Sequence, residues 1–456
     1  MSNSTMDYDL LEKLSAWDQD HLVALLTNSH PPIPLVEQLK TVDYPALVTA
    51  VQNAEQHSHQ SFAPPDGVKT VSDTSTTERK GWWLTGLKLI AAGKAAACVL
   101  AGGQGTRMGL GPDESKGMLR IGLDSGVCVF EIFVGRLSRL KDLACKYHPD
   151  SAASEIYLPL LIMTSPLNDS RVRKFFEENN NFGYPMDQII FFQQGTLPAL
   201  TYPDLKLMLD SPSHLAESPD GNGGVHFALS KTGVLDTLIN KGVEFLHVFA
   251  VDNPLTRPVD PALLGYCVSA GAEVGNKVVW KTDWKEKVGV LAKRDGKTSV
   301  VEYSDLYNPD IGLDNPMIRE TDDAGRLLFG AGNICNHMYS LGFIKRILPE
   351  LKSMFHVAHK KVPFFDPSTG NFVKPERNNA VKLESFIFDA FELSRKSVVL
   401  ECLREEEFAP MKNPTGADSP ESALALIHSA FSRVNLVRSN RELPASEFYF
   451  GEEILN

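Results

Sequence analysis

What this sequence lacks narrows it first. Its 456 residues hold only six cysteines, Cys98, Cys128, Cys145, Cys267, Cys335 and Cys402, and no two form a CxxC pair. That argues against a disulfide framework or a cysteine-based zinc site and predicts reduced thiols in a cytoplasmic protein. No apolar run reaches the roughly 18 residues that cross a bilayer, so no membrane partner is expected. Positive charge is in deficit: 45 Lys and Arg against 57 Asp and Glu leave a net charge of −12. A nucleic-acid partner would need the opposite balance on at least one face. The opening residues, MSNSTMDYDLLEKL, are polar and acidic, unlike a secretory signal. Internal repeats and low-complexity tracts are also missing.

What remains is an ordinary globular composition, 43% hydrophobic and 22% charged, in a chain long enough for more than one domain. Residues 1–94 read as a mainly helical domain. DYDLLEKLSAWDQDHLVALL spaces its apolar residues helically, HPPIP interrupts, and YPALVTAVQNAEQ resumes. The polar, Pro- and Gly-rich stretch from Ser58 to Gly81 reads as a loop. Over residues 95–395, apolar runs of strand length alternate with helical segments. AAACVLA, YLPLLIMT, QIIFFQQ, FLHVFAV, NKVVW and VGVLAKR are the strand candidates. Such alternation predicts an α/β domain with a largely parallel sheet. Residues 396–456, with SVVLECLREEEFAP and ESALALIHSAFSRVNL, read as a small domain able to close over a site.

The densest chemical signal follows the first strand candidate: VLAGGQGTRMGLGPDESKGML, residues 99–119. Glycine permits close backbone approach and left-handed conformations, and Arg107 and Lys116 suit an anion. At the carboxyl end of a strand in an open α/β sheet, such a loop reads as a phosphate cradle. It is neither of two common cradles. GLGPDESKG lacks the Ser or Thr after Lys of a Walker A loop, and Gly103, Gly105 and Gly109 give GxGxxxG, not the dinucleotide GxGxxG. A second signal is FLHVFAVDN, which ends a buried strand candidate on Asp252 and can offer a carboxylate to a hard cation. His226, His247 and His337 lack metal-ligand spacing and read as structural.

LAGGQGTRMG and SKGM resemble the signature of nucleotidyltransferases that make nucleotide sugars, and most closely that of the UDP-N-acetylhexosamine pyrophosphorylases. FFQQGTLPA, SPDGNGGVHFAL, FAVDNPL, VGVLAKRDGKTSVVEYS, LLFGAGNICNH, KLESFIFDAF and LREEEFAPMKN follow in the family's order. One departure is Ser115 before the loop lysine, where the family usually has proline and a shorter loop. The resemblance implies a Rossmann-like, GT-A-like nucleotidyltransferase fold and a reversible reaction. UTP and N-acetylglucosamine 1-phosphate would give UDP-N-acetylglucosamine and pyrophosphate, with Mg²⁺, or alternatively Mn²⁺, as cofactor.

It also implies roles. Arg107 would hold the departing phosphates, Lys116 the α-phosphate, and Lys412 would complete the phosphate site. Asp252 would ligate the metal. Gly102 and Gly103 would offer main-chain amides to the nucleotide. Gln194, able to donate and accept at once, would read the uracil edge, with Pro219 as a wall and Gly221 as a backbone contact. Gly289, Glu302 and Asn333 would bind the sugar. Phe386 and Phe388 would wall its N-acetyl group if SFIFDAF is extended. A relative acting on glucose 1-phosphate, or a non-catalytic nucleotide-sugar sensor, stays open as an alternative.

Overall fold

The strand-length apolar runs become one mixed sheet. In the computed structural model the residues described are 7–27, 31–56, 62–70, 73–103, 105–123, 126–147, 152–308, 313–351 and 354–438. Residues 1–6 of the acidic opening and 439–456 of the expected C-terminal domain lie outside them. The sheet's main strands are β1 (Ala95–Leu100), β2 (Leu160–Thr164), β3 (Ile189–Gln193), β4 (Phe245–Ala250), β5 (Val274–Trp280), β6 (Val290–Arg294), β7 (Lys297–Val301), β8 (Ala331–Ser340) and β9 (Ser397–Glu401). Their order is β9-β5-β8-β4-β1-β2-β3, with β6 and β7 branching from β8 and the short strand Val68–Lys69 outside β9. β4, β1, β2 and β3 run parallel, as do β5 and β9, while β8 is antiparallel to both β4 and β5. β1 and β2 are buried along nearly their whole length. Helices cover such strands on both faces, which is why they read as continuous apolar runs.

The chain divides into two compact units at places its local pattern does not mark. The larger comprises residues 61–194, 225–347 and 388–456. Its core joins strands β1, β2 and β4 to the helices Thr76–Ala91, Val129–Tyr147 and Pro261–Ala270 through Leu87, Phe133, Leu137, Phe249 and Leu263. The smaller comprises residues 1–60, 195–224 and 348–387. Its helices Tyr8–Ala16, Asp20–Thr27, Ile33–Thr41 and Tyr44–Gln56 bury Leu14, Leu22, Leu35 and Val51 in one cluster with Leu200, Leu209, Val381 and Leu383 from the short strands of two small sheets.

Four expectations change. The N-terminal helices do not form a body of their own up to residue 94, because their apolar faces need strands from residues 200–215 and 380–384. The helix Thr76–Ala91 belongs to the larger unit, and it begins inside the stretch read as a loop, where Ser75 accepts the Glu78 N–H at 3.1 Å and caps it. The described residues after 395 do not form a separate closing domain: β9 pairs in register with β5, and the helix Pro420–Arg438 buries Ala423, Ile427 and Ala430 in the main core. The HPPIP interruption is narrower than expected, since a helix starts at Ile33 with proline in its first turn.

The sheet's interior holds two of the unassigned histidines. His247 Nδ1 accepts the Val259 N–H at 2.9 Å, and its Nε2 lies 2.6 Å from Asn336 Oδ1, so the neutral ring protonated at Nε2 satisfies both. Burial pushes His247 down from 6.5 to about 4, against the pull of the Asn336 hydrogen bond, and burial with its histidine neighbours pushes His337 to about 3. Both rings titrate lower folded than unfolded. As pH falls below 6.5 the unfolded chain therefore takes up protons first, and stability present above that pH is lost. Each histidine contributes a slope of about 1.4 kcal/mol per pH unit. Urea unfolding between pH 7 and 5 should show it, and His247→Gln should flatten the curve by about that amount.

Candidate active site

The glycine loop leaves β1 and turns at once. Gly105 and Gly109, at φ +57° and +73°, flank the single 3₁₀ turn Thr106–Met108. A side chain at either position would be strained, so the glycine pair fixes where Arg107 is presented, exposed on that turn. Gly102 answers a different constraint. A Cβ there would come 2.4 Å from Gln194 Oε1, so the loop backbone lies directly on the Gln194 amide. Gln194 is buried just past β3 and donates its own N–H to Thr164, while Gln193 is exposed.

Ser115 opens the turn that carries the loop lysine. Its backbone is extended, and its Oγ accepts the Gly117 N–H at 3.3 Å, starting the short turn Lys116–Met118. From there Lys116 Nζ reaches Asp252 Oδ2 at 3.0 Å and the Met411 carbonyl at 2.7 Å. Both charged side chains keep about a fifth of their surface open, at 17% and 22%. They face a cleft of about 390 Å³ that is also lined by Gly103, Gly105, Thr106, Arg107, Val251 and Lys412. Arg107, Lys116, Asp252, Lys412 and Gly103, named from the sequence, thus share one cleft at the carboxyl edge of the parallel strands, the usual ligand edge of such sheets.

The expected sugar residues also converge. β8 runs antiparallel to β4, with Asn336 opposite Phe249. Asn333 is therefore carried past the carboxyl end of β4, the edge from which Asp252 emerges. Its N–H donates to the Gly289 carbonyl at 2.8 Å, and a Cβ on Gly289 would stand 3.1 Å from Glu302 Oε1. Cys335 beside them adopts φ +50°, uncommon for a residue with a side chain, and its N–H donates to Asn333 Oδ1 at 3.1 Å.

Other expected residues stand elsewhere. Pro219, Gly221 and Phe386 belong to the smaller unit. Pro219 is exposed at the end of a short strand, and Gly221, at φ +87°, packs so closely on Ser385 that a Cβ would meet its carbonyl at 2.2 Å. Phe386 lies beside His356, ring centroids 4.5 Å apart. SFIFDAF is not extended: Ile387 donates its N–H to Asn222 Oδ1 and opens a 3₁₀ segment to Leu393. Phe388 is buried in the larger unit at 5% exposure, so the expected alternation of the two rings does not hold.

One residue that holds the site is absent from the sequence reading. Arg136 is fully buried in the helix Val129–Tyr147 and donates from Nη1 to the carbonyls of Pro254 and Thr256, at 2.5 and 2.6 Å, fixing the turn after Asp252. Its signal was an arginine on the apolar face, between Phe133 and Leu140. Among the described residues no cluster of three His, Cys, Asp or Glu side chains could enclose a metal. Asp252 is one carboxylate open to a cleft, a donor set that fits a cation held chiefly by phosphate oxygens and water.

A cation-lined cleft under a glycine loop, at the carboxyl edge of a mixed sheet flanked by helices, defines an α/β nucleotidyltransferase. Residues 50–445 match the UTP–glucose-1-phosphate uridylyltransferase family. The Homo sapiens UDP-N-acetylhexosamine pyrophosphorylase-like protein 1 is 40% identical over 364 residues, covering 79% of this chain and 69% of its own. The Saccharomyces cerevisiae UDP-N-acetylglucosamine pyrophosphorylase is 34% identical over 423 residues, 90% of this chain and 84% of its own. The crystal structure of the Trypanosoma brucei uridine diphosphate N-acetylglucosamine pyrophosphorylase superposes with a TM-score of 0.82 at 27% identity, covering 96% of this chain and 87% of that one. The chain belongs to the UDP-sugar pyrophosphorylase family, and within it to the UDP-N-acetylhexosamine pyrophosphorylases.

Arg136→Ala should leave two carbonyls of the Asp252 turn without their buried donor. The expected loss is on the order of 3 kcal/mol of unfolding free energy, read by denaturant titration at pH 7.

Proposed function

We propose that this enzyme transfers a uridylyl group from UTP to N-acetylglucosamine 1-phosphate, reversibly, giving UDP-N-acetylglucosamine and pyrophosphate. The observation that carries the reading is the shared cleft of Arg107, Lys116, Lys412 and Asp252 beneath the glycine loop. A phosphate oxygen of the sugar phosphate attacks the α-phosphorus in line. The bond from that phosphorus to the bridging oxygen breaks, and pyrophosphate leaves with the electron pair. No proton must move and no protein nucleophile is needed, so the protein's task is placement and charge stabilisation.

Within that task Lys116 sits against the α-phosphate and Arg107 and Lys412 against the departing phosphates. The amides of Gly102 and Gly103 and the side chain of Gln194 take the nucleotide, and Gly289, Glu302 and Asn333 take the sugar. Mg²⁺ bound with the nucleotide and Asp252 would supply further charge neutralisation on the phosphates. No helix among the described residues is long and apolar enough to cross a membrane. A cytoplasmic setting goes with this reading, supported by six cysteines that are all free thiols.

The test is pyrophosphate release from UTP with Mg²⁺ and either sugar phosphate, with the nucleotide sugar identified by mass. The expected result is UDP-N-acetylglucosamine formed at a higher kcat/KM than UDP-glucose. Preference for glucose 1-phosphate, or release with neither, would overturn the reading. Lys116→Ala should lower kcat by roughly 10²–10³-fold, as loss of one transition-state stabiliser does, while UTP binding measured by calorimetry persists. A near-normal rate would show that Lys116 does not act on the phosphates.

A further inference from the structure

Asn253 follows the cleft carboxylate in sequence, yet its side chain is buried at 2% exposure. Both ends of its amide are engaged. Nδ2 donates to the Glu407 carbonyl at 2.7 Å, and Oδ1 accepts the N–H groups of Ala409 at 2.9 Å and Leu255 at 3.3 Å. One residue earlier, the Asp252 carbonyl accepts the Met411 N–H at 2.8 Å. Residues 407–411 are thereby pinned along 252–253. The Met411 carbonyl at the end of this run receives Lys116 Nζ, and the next residue is Lys412, on the cleft. Beyond it, the N–H groups of Lys412 and Asn413 both donate to the Asp418 carbonyl, at 2.6 and 2.9 Å. The origin of the run is held too, by the Glu407 carboxylate against Lys277 and Arg257.

We infer that Asn253 is a positioning residue for uridylyl transfer: it touches no substrate and acts by setting the Met411 carbonyl and Lys412 where the phosphates are held. The inference rests on the phosphate role proposed for Lys412. Only an amide meets the demand, because the site needs a donor toward Glu407 and an acceptor toward Ala409 from one short side chain. Aspartate keeps the acceptor, loses the donor and sets a carboxylate oxygen against a carbonyl. Alanine releases both ends. Displacing a catalytic group by about an ångström costs on the order of 10²-fold in rate, and a loss of that order in kcat is expected for Asn253→Ala, with the UTP KM little changed.

A purely structural asparagine would also lower activity, so the test is a double-mutant cycle. Lys412→Ala, Asn253→Ala and the pair are assayed for kcat and kcat/KM well below each variant's thermal midpoint. If Asn253 acts through Lys412, the pair loses no more than about twofold beyond Lys412→Ala alone, since a misplaced lysine and a missing one are equivalent. If the losses multiply, Asn253 acts by another route and the inference is overturned while the role of Lys412 stands. If Lys412→Ala keeps full activity, the role of Lys412 fails and this route fails with it. Asn253→Asp, isosteric and missing only the donor, takes the place of the alanine variant where that does not fold, with the same absence of multiplication expected.

Discussion

Lys277 is 1% exposed, and much of the larger unit is arranged around keeping its charge there. Burial alone would push its ammonium down; Asp260 and Glu407 beside it reverse that and hold it above its usual value. Asp260 in turn, though buried, is held low by Lys277 and Arg257. Each partner comes from a different part of the chain. Lys277 lies on β5. Asp260 caps the helix Pro261–Ala270 by accepting the Ala262 N–H. Glu407 ends the short helix after β9, with Arg257 bridging it to Glu406. Removing one member of such a group typically costs about 3–5 kcal/mol, because the others are left buried and unmatched. The cluster therefore fastens the segment that leads to Met411 and Lys412 onto the sheet before any ligand arrives.

That fastening bears on how charge is handled in the cleft. Fixed cations aimed at developing charge stabilise a transition state without reorganising during the reaction. Arg107 is set by its two left-handed glycines, Lys116 by the Ser115 turn and its bonds to Asp252 and Met411, and Lys412 by the buried cluster. Among the described residues Asp252 is the carboxylate that lines the cleft, and it tempers this positive charge.

The candidate cleft was legible in the sequence because strand ends fix it. Once AAACVLA and FLHVFAV are parallel strands, Arg107 and Asp252 must emerge at one edge, and the blocks around Gly289, Glu302 and Asn333 meet because β6 pairs with both β7 and β8. Lys412 lines the cleft, but the run that follows β9 along Asp252 and Asn253, not a separate closing domain, carries it there. The smaller unit was not legible, since Leu200 against Val381 and Phe365 against Leu209 are pairings between stretches whose local patterns carry no mark of each other. SFIFDAF misled because alternating phenylalanines fit a strand as well as a 3₁₀ turn, and the Asn222 hydrogen bond that decides between them is distant in sequence. Arg136 was passed over because its one local mark, a cation on the apolar face of a helix, does not say which backbone carbonyls it meets.

The central claim is that uridylyl transfer is one direct displacement at the α-phosphorus, with no covalent intermediate on the protein. The stereochemical course tests it, using UTP with a chiral phosphorothioate at the α-position and reading the configuration of the nucleotide sugar by phosphorus NMR. A single in-line attack by the sugar phosphate predicts inversion. Retention would mean two displacements through a group on the protein, and would contradict the account.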